Sequence, residues 1–172
     1  MTKKNYLPVY TLSEELINSI SHGVGTCLSI AALVLCIVQA AVNGTAAGVV
    51  SACIYGVSLT MLYIMSTLYH AITNRTARKV FRVFDHTSIF FLIAGTYTPI
   101  TLVTLGGALG WTLFGIVWAG AIVGIVLNAV SIEKFKKFSM ICYVCMGWAA
   151  LIGIKTIYEN LPGNGFLFLI LG

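Results

Sequence analysis

Between Leu16 and Asn74 the chain carries no Asp, Glu, Lys or Arg, a stretch of 59 residues without a formal charge. A second gap of this kind runs from His86 to Ile132, and a third from Phe138 to Ile154. A helix crosses the hydrocarbon core of a bilayer with about 20 apolar residues, so the first gap alone is long enough for two crossings. Charged residues make up 9% of the chain and hydrophobic residues 59%, where soluble domains carry about 25% charged residues. This composition excludes a water-soluble globular domain. It also excludes intrinsic disorder, which needs low hydrophobicity and high net charge. The expected fold is all-α, a polytopic transmembrane helix bundle forming one domain over residues 1–172.

Turn residues divide the apolar runs. Asn43-Gly44-Thr45 breaks the first gap and Gly106-Gly107 breaks the second, as turn chemistry predicts. Helices are expected over about 20–42, 46–73, 85–105, 109–131 and 138–157. A sixth apolar run begins at 165 and reaches 172, which is too short to span. Before the first helix, Thr11-x-x-Glu14 fits a capping box and opens an amphipathic segment over 11–19. There Leu12, Leu16, Ile17 and Ile20 share one face, and Glu15, Asn18 and His22 share the other. That polar face reads either as a headgroup-facing side of a surface helix or as a patch packed against neighbouring helix ends.

The net charge of +5 is a topology signal rather than a nucleic-acid signal. The basic residues fall in short connections: Lys3 and Lys4; Arg75, Arg78, Lys79 and Arg82; Lys134, Lys136 and Lys137; and Lys155. With alternating spans, the first three groups lie on one side. By the positive-inside rule that side is the cytoplasm, so the N-terminus is expected inside, on the cytoplasmic face of the plasma membrane. Membrane lipids are the expected partners, and no nucleic acid is. The tail, with Glu14 and Glu15, does not fit a cleaved secretory leader. Five cysteines (Cys27, Cys36, Cys53, Cys142 and Cys145) all lie in apolar runs and read as inert thiols, the Cys142-x-x-Cys145 spacing included. Gly120-x-x-x-Gly124 allows close helix approach; a homo-oligomer is possible but not indicated. Pro99 is expected to free a carbonyl that nearby Thr or Tyr hydroxyls could satisfy.

Ionisable residues inside membrane spans are costly and are functional candidates by default. Here His22, His70, Asp85 and His86 all fall at one depth, near the inner helix ends, with Ser66 one turn before His70. Zinc takes imidazole nitrogen and carboxylate oxygen, with three protein ligands and a water at catalytic sites. A carboxylate beside that water can serve as its base, and a hydroxyl can donate to an oxyanion. His70, Asp85 and Ser66 could fill those roles. His86 points about 100° away from Asp85 on a helix. Equally, Asp85 reads as a cap at the start of the third helix, and His70 as an interface histidine.

The order Glu15-x-x-Asn18-x-x-x-His22, Ser66-x-x-x-His70, Asp85-His86 and Ala94-Gly95-Thr96-Tyr97-Thr98-Pro99 resembles that of the hemolysin III family. That bacterial family is similar to the progestin and adipoQ receptors and, more distantly, to the alkaline ceramidases. The resemblance runs from about residue 10 onward. It implies a seven-helix bundle with an inner-leaflet zinc site. His70 would be a zinc ligand, Asp85 would hold the zinc-bound water and Ser66 would be the nearby hydroxyl. Glu15, Asn18 and His22 would form a structural or gating group. The family's remaining ligands, a His-x-x-x-His pair on the seventh helix, have no counterpart in these residues. They are expected beyond residue 172, in a protein of which this is a fragment, or else the chain is a truncated member. Three functions are consistent with this reading: a zinc-dependent hydrolase of lipid amides or esters, a regulator of membrane state with structural zinc, and a cytolytic pore. The last has no polar stripe to line a water-filled path.

Overall fold

The computed structural model describes residues 7–8, 10–161 and 163–171. The lysines at positions 3 and 4 lie outside the described residues. All regular structure among these residues is helical.

Helix α1 (Leu12–Asn43) begins at Thr11, whose side chain accepts from the Glu14 N–H while the Glu14 carboxylate accepts from the Thr11 N–H at 2.7 Å. The expected capping box is therefore present. The amphipathic segment and the first span are one continuous helix of 32 residues, roughly 48 Å at 1.5 Å per residue. That exceeds the core of a bilayer by about three turns, so the capped end can stand clear of it. Thr45 caps α2 (Ala46–Ala71) by accepting from the Gly48 N–H. The turn at Gly44 and Thr45 is so short that α1 and α2 pack as antiparallel neighbours.

Helix α3 (Arg75–Pro99) starts ten residues before the expected position 85. The cause is Asn74, whose side-chain carbonyl accepts from the N–H groups of Thr76 and Ala77. A strong N-cap turned what looked like a charged loop into the first turns of a helix. Asp85 therefore sits well inside α3, and its reading as the N-cap is corrected. At the far end Pro99 leads into a widened turn over Ile100–Leu105, closed by the Gly106 N–H on the Thr101 carbonyl. Thr96, Thr98 and Thr101 return their hydroxyls to the carbonyls of Leu92, Ala94 and Tyr97. Gly106 and Gly107 then adopt φ of 59° and 54°, a left-handed pair that favours glycine.

Helix α4 (Gly107–Trp148) is broken at Ser131, which has φ −166° and ψ 106°. Ser131 caps the second arm through the Lys134 N–H, so residues 132–137 are helical and not the expected loop. A tight turn over Ala149–Gly153 and two short helices, α5 (Ile154–Asn160) and α6 (Gly165–Leu171), follow. The expected fifth helix over 138–157 is thus divided among the second arm of α4, the turn and α5. Among the described residues, four runs are long and apolar enough to cross a membrane: Leu12–Asn43, Ala46–Ala71, Arg75–Leu105 and Gly107–Asn160.

The elements pack in sequence order, α1 on α2, α2 on α3 and α3 on α4. The core lies between α3 and α4, around Phe90, Ala94, Tyr97, Val117, Ala121 and Met146. A Cβ at Gly124 would collide with the Phe90 ring, so this glycine of the Gly120-x-x-x-Gly124 pair serves packing within the chain. The Tyr97 hydroxyl donates to the Gly147 carbonyl and accepts from the Ala150 N–H, both at 2.8 Å. None of the five cysteines is in a disulfide.

Candidate functional site

The apolar face of the first turns of α1 points outward: Leu12, Ile17 and Ile20 are exposed. In a bilayer an outward apolar face is the ordinary arrangement, because lipid is the solvent. Its opposite face is turned onto α2 and α3, and this decides between the two readings of the polar patch for Glu15 and His22. The Glu15 carboxylate lies 2.7 Å from Nδ1 of His70 on α2 and ion-pairs with Arg78 on α3. One carboxylate therefore ties three helices. The His22 and His70 rings stack with centroids 6.4 Å apart and planes within 10°. His22 also packs on Tyr63, and His70 on Tyr69 and Tyr10. The Arg78 guanidinium lies 5.3 Å from the Tyr69 ring centroid and 6.0 Å from that of Tyr10, an aromatic shell that suits a weakly hydrated cation.

Asp85 lies inside α3, the helix that carries Arg78. From Arg78 to Arg82 to Asp85 the spacing is four and then three residues, so all three lie along one stripe of α3. Ser66 is buried one turn before His70 on α2. Asn18 is half-buried on α1, between Glu15 and His22. His86 belongs elsewhere. Its carbonyl accepts from the Tyr143 hydroxyl at 3.0 Å, and its residue lines a cavity facing α4. The structure thus brings Glu15, His22 and His70 together, with Ser66 one turn before His70 and Asp85 on the neighbouring helix α3.

Arg78, Tyr10 and Tyr69 were not legible as site residues. Arg78 was one of four basic residues in an apparent loop, and only the helical spacing to Asp85 could have singled it out.

Imidazole nitrogen and carboxylate oxygen are donor types that zinc takes. Glu15 engages Nδ1 of His70 and leaves Nε2 open, the side on which an outer carboxylate orients a histidine ligand. Among the described residues no group of three His, Cys, Asp or Glu is placed to hold a metal. His70 and Asp85 supply at most half of a tetrahedral shell.

A model of the family described as "Haemolysin-III related" matches residues 10–172, and the chain belongs to that family. Over its whole length it is 46% identical to "Hemolysin-3" of Bacillus cereus, covering 78% of that protein. It is 45% identical to the "Hemolysin-3 homolog" of Bacillus subtilis (strain 168) over 164 residues, 95% of this chain and 77% of the relative. A more distant likeness, 29% identity over 119 residues, covers 66% of this chain and 50% of the human "Monocyte to macrophage differentiation factor". No solved structure matches the chain. Membership and helical spans together make it a multi-pass membrane protein of a bacterial family.

Proposed function

We propose that this hemolysin III-like protein is a zinc-dependent intramembrane hydrolase of a lipid amide or ester. The observation that carries the reading is the Glu15 carboxylate 2.7 Å from His70 Nδ1, which leaves Nε2 of that histidine open. In this reading the chain crosses the membrane five times, bending at Ser131 between the fourth and fifth crossings, within the seven-helix plan of the family. The N-terminus and the basic residues lie in the cytoplasm. The site then sits at headgroup depth, where the amide or ester linkage of a lipid lies.

Zinc, when bound, would polarise the lipid carbonyl and acidify a water molecule. His70 Nε2 would be the ligand. Glu15 holds the His70 ring in one tautomer and orientation. The Asp85 carboxylate accepts the proton of the attacking water and passes it to the leaving group. The Ser66 hydroxyl donates to the oxyanion.

The test is hydrolysis of a defined set of long-chain lipid amides and esters by the full-length gene product. Turnover by the parent, abolished in Asp85→Asn and reduced in Ser66→Ala, is the expected result. No turnover of any amide or ester by folded parent protein would remove the hydrolase reading. A second reading is a non-enzymatic regulator of membrane state, favoured by the way Glu15 ties three helices through His70 and Arg78. It predicts that Asp85→Asn leaves the cellular phenotype nearly intact, whereas Glu15→Ala does not.

A further inference from the structure

On the other side of α3, facing the bend of α4, two adjoining cavities of about 550 and 200 Å³ share Arg82, Asn128 and Ile132. We propose that this cleft binds the phosphate of an anionic phospholipid headgroup, with the Asn128 amide as its deepest donor. The proposal does not rest on the hydrolase reading.

The first argument is charge. Lys79, Arg82, Lys134 and Lys136 line the two cavities, and Glu133 is the carboxylate among the lining residues. Glu133 is spent on Arg82 at 2.6 Å, which leaves a surplus of positive charge around the cleft.

The second argument is an unmet hydrogen bond. Asn128 is 2% exposed. Its carbonyl oxygen accepts from the Ser139 hydroxyl at 3.0 Å. Its amide nitrogen, Nδ2, has no hydrogen-bond partner among the described residues. It lies beside the Tyr143 hydroxyl, whose proton goes to the His86 carbonyl. A buried amide hydrogen left without an acceptor is costly. The Tyr143 hydroxyl oxygen can accept one of the two amide hydrogens, and lysine and arginine, which carry donors and no acceptor, cannot take the other. A group with acceptor oxygens and negative charge suits both the second hydrogen and the cations, which describes a phosphate.

The third argument separates a lipid from a free ion. Val130 and Met140 line these cavities and are exposed at 73% and 59%. They border the cleft where α4 leaves its apolar stretch, so an acyl chain can cover them while its phosphodiester meets Asn128 and the cations. Inorganic phosphate would leave both uncovered. A zwitterionic headgroup would bring an ammonium into a cationic cleft.

The experiment compares ligands on the purified protein in a neutral detergent, read by unfolding temperature and by lipid retained in native mass spectrometry. Phosphatidylglycerol should raise the unfolding temperature and be retained. Phosphatidylcholine of the same chains and inorganic phosphate should do neither. Asn128→Asp keeps the Ser139 bond and removes the donor. This variant, and separately the pair Lys79→Gln with Lys134→Gln, should each weaken phosphatidylglycerol binding about tenfold or more, as loss of a charge-assisted hydrogen bond predicts. The control pair Lys137→Gln with Lys155→Gln removes equal charge outside the cleft and should leave binding within about twofold. Equal retention of phosphatidylcholine would overturn the proposal. Stabilisation by inorganic phosphate alone would overturn the lipid assignment. An equal loss in the control pair would reduce the effect to diffuse surface attraction and overturn the site.

Discussion

Two polar clusters flank α3 at the same end of the bundle, and they are built on opposite principles. On the α1 and α2 side, Glu15, His70 and Arg78 satisfy one another, and aromatic rings close around the cation. On the α4 side, Arg82 is paired with Glu133, and the Asn128 amide lines a cavity among cationic side chains. The first cluster is an ion-paired network that fixes the position of an imidazole, although Arg78 Nε has no hydrogen-bond partner among the described residues. The second carries a surplus of positive charge that suits an anion. In a low-dielectric setting the ion-paired network should be the costlier to break, because removing one partner strands the other as a bare charge.

This contrast sets an order of effects, each measured as stability of purified protein in one detergent without added lipid. The largest belongs to Glu15→Ala, which strands the largely buried Arg78 and should cost about 3 to 5 kcal/mol. Combining it with Arg78→Met should recover a substantial part of that loss, since the uncompensated charge is then gone. If the double variant is as unstable as the sum of the singles, the two residues do not act as a pair. Next comes Ser139→Ala, which removes the donor to the Asn128 carbonyl and leaves a buried acceptor unmet, costing about 1 to 3 kcal/mol. A neutral result there would mean that the α4 arms are not joined by this bond. The smallest belongs to Glu133→Gln, whose side chain is 43% exposed, and a change of about 1 kcal/mol or less is expected. A loss comparable to that of Glu15→Ala would erase the distinction between the clusters.

The sequence pattern carried the apolar runs, the Thr11 capping box and the turns at Gly44 and Gly106 into the structure. These features are local, and local chemistry decides them. It failed at residues 74–84 and 132–137, where clustered charge resembled loops. Asn74 and Ser131 were the signals that mattered, since each caps a helix that carries its charges on one stripe. His22, Ser66, His70 and Asp85 are expected at one level from the sequence, and the structure stacks His22 on His70 and buries Ser66 one turn before it. Glu15 was visible, but its direction was not, because amphipathicity alone does not say whether the polar face meets headgroups or protein. Arg78 was hidden for a tertiary reason: nothing in its own neighbourhood indicates that a carboxylate 63 positions earlier will pair with it.

The central claim is that Glu15 prepares His70 as a metal ligand. Zinc per chain, measured by elemental analysis on the full-length gene product and on its His70→Ala variant, tests it most directly. The account predicts about one zinc in the parent, as a single catalytic site requires, and none in His70→Ala, with part of the zinc kept in Asp85→Asn. A folded parent without zinc, or a His70→Ala variant that keeps all of it, would contradict the claim and leave Glu15, His70 and Arg78 as a purely structural tie.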